Sequence, residues 1–348
     1  MASLYRRAHV VTCAGPPADP LGAIVDGALL TDGDRVAWVG ADTDAPAAAA
    51  ALGLTVDDQL DLGGRLLTPG LIDCHTHAVF AGDRAGEFAL RAAGATYQAI
   101  AASGGGIVAT TAPTRAASLD QLTALTVARL ERARGFGTTT IEIKTGYDLT
   151  VAGELRLLDV IARAAAAAPI AVVPTLLCHL VPAERADDRD AYVRELATAL
   201  VPRARGRATS VDVYCDQGAF MLSETRTILG AARAAGLAVR AHVGQFADLG
   251  GAELVAELGG RSIDHVEQIG PAGIAAAAAA GTVAVMLPGA CVQLRLPVPP
   301  ASGHATSVYC AAGACRSLSS FFMLFLNCMP NSTAVKVTAS RSATGSAA

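Results

Sequence analysis

From Leu71 onward the sequence repeats one pattern: a short apolar run ending in a polar or imidazole side chain, then an Ala-rich amphipathic stretch of helix length. The apolar runs are LIDCHTH, TTTIEIKTGY, IAVVPTLLCH, VDVYCD, LAVRAHV, SIDHVE and TVAVMLPG. The helical stretches between them include 118–134, 151–168, 189–204, 223–235, 251–258 and 271–280. Strand and helix alternating at this spacing predict an α/β fold, a parallel sheet with both faces covered. Few aromatic residues and abundant Ala and Gly suit close helix-on-sheet packing. With 348 residues the chain has room for one barrel and a small appendage.

Ahead of that pattern, AHVVTC, GALLTDG, RVAWVGA and LDLGGRLLTPG read as short strands separated by turns. We therefore expect a small β unit over residues 1–66, a (β/α) barrel over 67–300, and a different segment over 301–348.

A net charge of −4, with arginines scattered among acids, offers no basic stripe for nucleic acid. The start MASLYRRAHV lacks the apolar core of a signal peptide, and no uncharged apolar run reaches the ~18 residues of a membrane helix. The expectation is a soluble, cytoplasmic protein that binds neither nucleic acid nor membrane. Eight irregularly spaced cysteines suggest reduced, mostly buried thiols rather than a disulfide framework or metal knuckle.

Five of the seven histidines (His75, His77, His179, His242 and His265) end or directly follow a predicted strand, as do Lys144 and Asp216. In a closed barrel that end is where loops converge over one mouth. Side chains on a strand repeat every two residues, so His75-x-His77 sets two imidazoles on one face. Neutral imidazole is a good ligand for zinc and also suits iron. His242, at the end of a later strand, is placed to converge on the same ion.

The segment PGLIDCHTH resembles the first-strand motif of the amidohydrolase superfamily. HTHAVFAGDRAGEF, GGGIVATTAPTR, IEIKTGY, CHLVPAE, RAHVGQFADLGGAEL, IDHVEQ and VMLPGA, in that order over about residues 10–300, are similar to the imidazolonepropionase family. The resemblance implies a (β/α)8-type TIM barrel of the metal-dependent hydrolase kind with a small N-terminal β-sandwich unit. It implies hydrolysis of 4-imidazolone-5-propanoate to N-formimino-L-glutamate in histidine degradation, one zinc or iron ion, and a homodimer. By the same resemblance His75, His77 and His242 are metal ligands, and Arg84 binds the propanoate. Tyr147, His179, Gln245 and Tyr97 contact the ring, and His265 moves a proton or stabilises oxygen charge. Alternatives stand beside these roles: Arg84 capping Asp83 or Glu87, His265 bonded to Asp264, and Lys144 carboxylated between two metals rather than paired with Glu142. At the level of activity the alternatives are another cyclic-amide hydrolase or deaminase of the superfamily, or a non-catalytic remnant.

The resemblance stops near residue 300. The family's fourth ligand is an Asp in a segment like A-L-A-T-D-x-N-P-G, and this chain has no Asp or Glu after Glu267. Beyond Ala301 the composition turns to Ser and Thr with Cys310, Cys315 and Cys328 around the run FFMLFL. We expect the last barrel strand and the C-terminal sandwich strands to be missing or aberrant, the tail to lie outside the ancestral reading frame, and the chain to be weakly active or inactive and poorly stable.

Overall fold

The computed structural model describes residues 1–299 and 308–310 apart from 17, 97, 98, 101 and 102. Tyr97 and nearly all of the 301–348 tail, including any C-terminal sandwich strands, lie outside the described residues. Internal contacts divide the chain into a unit of Met1–Leu71 and a larger unit beginning at Ile72.

In the N-terminal unit five strands form one sheet: β1 (Ala2–Val11), β2 (Ala23–Asp32), β3 (Arg35–Ala41), β4 (Val56–Asp61) and β5 (Leu66–Leu67). Their order is β3-β2-β1-β4, and β5 also pairs with β1. Alternation along β1 and β2 sends Ala2, Leu4, Ala28 and Leu30 to a small core shared with Ala45 and Ala49 of the helix Ala45–Ala51.

In the larger unit the strands follow sequence order: β6 (Leu71–Asp73), β7 (Thr138–Lys144), β8 (Ala171–Cys178), β9 (Ser210–Cys215), β10 (Ala238–Val243), β11 (Ser262–His265), β12 (Val283–Met286) and β13 (Val308–Cys310). Ladders from β7 to β13 are all parallel. Every strand named from the sequence forms, and the helices between them match the predicted stretches to within a few residues. The 189–204 stretch is the one interrupted case: α-helix Arg189–Glu195 runs into a π-helical Leu196–Leu200 before Val201–Arg203.

Why these segments pack as they do follows from period-two alternation. Ile141, Ile143, Val211, Val213, Val239, Ala241 and Ile263 join one core with Leu122, Leu130, Leu157, Leu158, Ile161, Ile228 and Leu229 of the surrounding helices. The alternate positions, Glu142, Lys144, Asp212, Arg240, His242 and Asp264, bond to one another on the other face. Helix Leu119–Gly135 starts at a reciprocal cap, Ser118 Oγ accepting from Gln121 N (3.1 Å) and Gln121 Oε1 from Ser118 N (2.8 Å), a device stabilising a helix by ~1 kcal/mol.

The eighth strand takes the aberrant form expected of it. It has three residues, none acidic, and among the described residues no ladder joins it to β6. Beside that seam, toward the amino ends of the strands, Ile72, Cys74, Arg240, Ser262, Val283 and Val285 border a cavity of ≈ 240 Å³.

Glu154 explains how the loop after β7 holds its shape. Its buried carboxylate accepts from the backbone N–H groups of Gly146 (2.6 Å), Asp148 (2.9 Å) and Leu149 (2.7 Å). Those bonds fix a turn in which Gly146 and Leu149 have φ of +99° and +66°. Glu154→Ala leaves three buried donors unpaired, and urea unfolding should show a loss of about 3 kcal/mol. A loss below the measurement error would show that the turn holds without the carboxylate.

Candidate metal centre and substrate pocket

His75 and His77 follow β6, and His242 sits in β10. Their candidate ligand atoms all lie within 4.8 Å of one another. The ring centroids are 5.2 Å apart for His75 and His77, 4.6 Å for His75 and His242, and 5.6 Å for His77 and His242. The convergence expected from the strand ends is thus the geometry observed.

Each of two imidazoles is held by a carboxylate. His75 Nδ1 lies 2.7 Å from Asp264 Oδ2, and His242 Nδ1 lies 2.9 Å from Asp212 Oδ1. A carboxylate accepts, so Nδ1 carries the hydrogen and Nε2 keeps its lone pair. His242 Nε2 and His77 Nδ1 are buried and have no hydrogen-bond partner. Two orphaned imidazole nitrogens in one tight cluster are costly unless a cation takes their lone pairs, and the three residues therefore fit a metal ion. Burial pushes the His75, His77 and His242 imidazoles below the ordinary histidine range, and the Lys144 charge adds to the effect at His75. Neutral rings are the ligand form.

Beneath the imidazoles lies a buried charge network. Lys144 Nζ is 2.7 Å from Asp212, 3.0 Å from Asp264 and 3.0 Å from Glu142. Arg240 adds a 2.7 Å contact to Glu142. Burial alone would lower the Lys144 pKa, but Asp212, Asp264 and Glu142 outweigh it and hold the value above that of an ordinary lysine. Forming a carbamate needs the neutral amine, so the carboxylated-lysine alternative is disfavoured and the pairing with Glu142 is the one observed. The network was only partly foreseen. Asp212 and Asp264 were missed as partners, because their meeting with His242 and His75 depends on strand register.

Around the cluster stand the other expected residues. His265 has its ring centroid 5.4 Å from His75 and 5.3 Å from His242. Its φ is +80° and that of Val266 is +64°. Left-handed backbone is rare for a β-branched residue and collects at functional sites. His265 Nδ1 pairs with Glu267 Oε1 at 3.3 Å, and Asp264, the partner considered for it, is engaged by His75 and Lys144 instead. His179 stacks on His77 with 11° between planes and centroids 5.5 Å apart, and Tyr147 lies 5.6 Å from both. Burial drives the His179 pKa down to about 3, so that ring is neutral too. Gln245 Oε1 is 2.8 Å from Tyr214 Oη, and the Tyr214 ring packs 5.7 Å from His242.

Arg84 is placed differently. Its guanidinium donates to Glu87 Oε2 from Nε at 2.9 Å and from Nη2 at 2.6 Å, the rim pairing considered as its alternative. Glu87 Oε1 also accepts from Gly106 N at 2.7 Å. Asp216, read only as a strand-end residue, anchors the loop after β10 by accepting from Gln245 N (2.7 Å), Phe246 N (3.0 Å) and Ala247 N (2.9 Å).

Solved structures of hydrolases share this fold. A triazine hydrolase from Arthrobacter aurescens superposes with a TM-score of 0.61 at 16% identity, covering 90% of this chain and 71% of that one. A zinc-bound adenosine deaminase from Xanthomonas campestris gives 0.57 at 17% identity, covering 90% and 70%. These likenesses show the fold, a (β/α) barrel of the kind found in metal-dependent hydrolases. No protein-family model matches the chain. Among curated relatives, the imidazolonepropionase of Anaeromyxobacter dehalogenans is 48% identical over 289 residues, covering 82% of this chain and 68% of that protein. Those of Rhizorhabdus wittichii and Chloroflexus aggregans are 44% and 43% identical, covering 86% and 84% of this chain and 74% and 72% of theirs. The chain belongs to the imidazolonepropionase family. Among the described residues no helix is long and apolar enough to cross a membrane.

Asp212→Asn tests the carboxylate–histidine arrangement. Losing the anionic partner of His242 Nδ1 should weaken metal binding ~10- to 100-fold in a chelator-competition titration. Unchanged affinity would show that Asp212 does not orient the ligand.

Proposed function

We propose that this chain hydrolyses 4-imidazolone-5-propanoate to N-formimino-L-glutamate, with one zinc or iron ion held by His75, His77 and His242. The observation that carries the reading is the buried cluster of three imidazoles with unpartnered nitrogens, in a chain up to 48% identical to imidazolonepropionases. A cation bound there supplies Lewis-acid polarisation of the ring carbonyl and acidifies water toward a pKa of ~7.

The chain's own residues supply the rest. His179, Tyr147 and Gln245, with Tyr97 as a further candidate, orient the small polar ring by hydrogen bonds. Arg84 takes the propanoate, for which its planar fork is suited, by exchanging the Glu87 carboxylate for that of the substrate. Water oxygen is added at the ring carbonyl carbon, the C–N bond breaks, and the departing nitrogen receives a proton. His265 is the group proposed to carry that proton, its Nδ1 held by Glu267. The family resemblance adds a homodimer, and the N-terminal sequence, without the apolar core of a signal peptide, a cytoplasmic setting.

Turnover is expected to be low. No acid follows Glu267, so the cluster has neither the family's anionic fourth ligand nor its carboxylate near the attacked carbon. Metal content and loss of imidazolonepropanoate absorbance, measured on protein supplied with zinc or iron, test the proposal. We expect bound metal, turnover roughly 100-fold or more below that of an intact relative, and none in His242→Ala. Arg84→Ala should raise KM about tenfold. A metal-free, inert chain would make it the non-catalytic remnant, and near-normal turnover would refute the impairment.

A further inference from the structure

We propose that Tyr214 is the positioning residue that makes this pocket read a lactam edge, by fixing the Gln245 amide so that it offers N–H beside the acceptor nitrogen of His179. The inference rests on the substrate reading above and sharpens it from a ring of the right size to a ring with a defined hydrogen-bond pattern.

Gln245 is fixed at both ends by Tyr214 of β9 and by Asp216 directly after that strand. Its backbone N–H donates to Asp216 Oδ2 at 2.7 Å, and its side-chain Oε1 lies 2.8 Å from Tyr214 Oη. A phenol is a good donor and a poor acceptor, and an amide oxygen is the stronger partner for it. The phenol's bond to Oε1 holds the amide in one orientation, so that the end turned away from Tyr214 is the Nε2 donor pair, although Oε1 keeps a second lone pair. The Tyr214 side chain is itself confined, since it is buried and packs edge-on against His179 (5.8 Å, 64°) and His242 (5.7 Å, 61°).

His179 has its polarity set in the opposite sense. Its Nδ1 lies 3.0 Å from the Gly146 carbonyl oxygen, which can only accept, so Nδ1 carries the hydrogen and Nε2 keeps a lone pair. The turn presenting that carbonyl is the one tied down by Glu154. Tyr214, in contact with both residues, thus links an acceptor on one strand end to a donor on another. A lactam edge, N–H next to C=O, complements this pair. A ring bearing an amine in place of the carbonyl turns a donor toward the Gln245 N–H and leaves both unpaired, and buried unpaired donors are what polar sites discriminate against. The same device separates hydrolysis of a cyclic amide from deamination of an aminated ring.

An isosteric pair of probes tests it on the zinc-loaded protein: 1,2,4-triazol-3-one-5-propanoate and 3-amino-1,2,4-triazole-5-propanoate, titrated calorimetrically. Wild type should bind the triazolone about tenfold more tightly. Tyr214→Phe frees the amide to turn over and should bring the two affinities within about threefold, with zinc content unchanged. Gln245→Glu, which presents only acceptors, should reverse the preference. If wild type binds neither probe, the substrate reading fails and the inference with it. If wild type binds both equally, or Gln245→Glu still prefers the triazolone, or Tyr214→Phe keeps the full preference, the inference fails while the substrate reading stands. Should Tyr214→Phe lose its zinc through altered packing on His242, wild type and variant are compared metal-free, where a narrowed preference in the variant supports the inference and an unchanged one overturns it.

Discussion

The site depends on one buried ammonium group. Lys144 is fully enclosed and touches three carboxylates, those of Glu142, Asp212 and Asp264. Burying an ion costs several kcal/mol, and the cost is recovered only when the geometry satisfies every charge. Two of the three carboxylates spend their remaining oxygens or lone pairs on His75 and His242. The lysine therefore makes it possible to bury the anions that orient the imidazoles. With Arg240 included, three carboxylates face two cations, an excess of one negative charge just below the nitrogen cluster. A cation bound above it would meet a favourable field.

Much of this was legible because period-two alternation is simple. In IEIK, VRAH and SID the residues at alternate positions are polar while their neighbours are apolar, and the structure sends the two sets to opposite faces. A strand buried on both sides in a parallel sheet tolerates such polar positions only if they satisfy one another. What local pattern does not contain is register. Asp212 and His242 are thirty positions apart in sequence, and their contact follows from the ladder that sets His242 against Tyr214. Asp264 meets His75 across a still longer span. Strand-end counting finds the imidazoles; their carboxylate partners emerge only once the sheet is assembled.

Backbone conformation was hidden for another reason. A left-handed position is normally announced by glycine, as at Gly146, yet His265 and Val266 both have positive φ. Valine gives no sequence hint of it, because the branched side chain disfavours that region. Such a conformation persists when surrounding bonds over-determine it, here Val266 N to Val243 O at 3.0 Å and Gln268 N to Gly244 O at 2.7 Å. Arg84 was ambiguous in the sequence because a guanidinium one residue from Asp83 and three from Glu87 can serve either a rim cap or a substrate. The structure shows the rim pairing with Glu87, so the substrate role proposed for Arg84 requires one carboxylate to displace another.

The truncated acidic complement bears on two properties of the site. Holding a cation draws on three neutral imidazoles and on the negative excess of the layer beneath them, and every residue of that layer precedes Glu267. The proton-handling role proposed for His265 draws on a separate pair, its Nδ1 held 3.3 Å from Glu267 Oε1. The charge layer is fixed by the first six barrel strands and owes nothing to β13, which contributes no acid. The carboxylates of that layer, Asp212 and Asp264, are fully buried and already engaged by Lys144 and by the two imidazoles, whose basicity as ligands they strengthen. The absence of an acid at the eighth strand thus falls on both properties, an anionic ligand for the ion and a carboxylate beside the attacked carbon, while the layer that orients His75 and His242 stays intact.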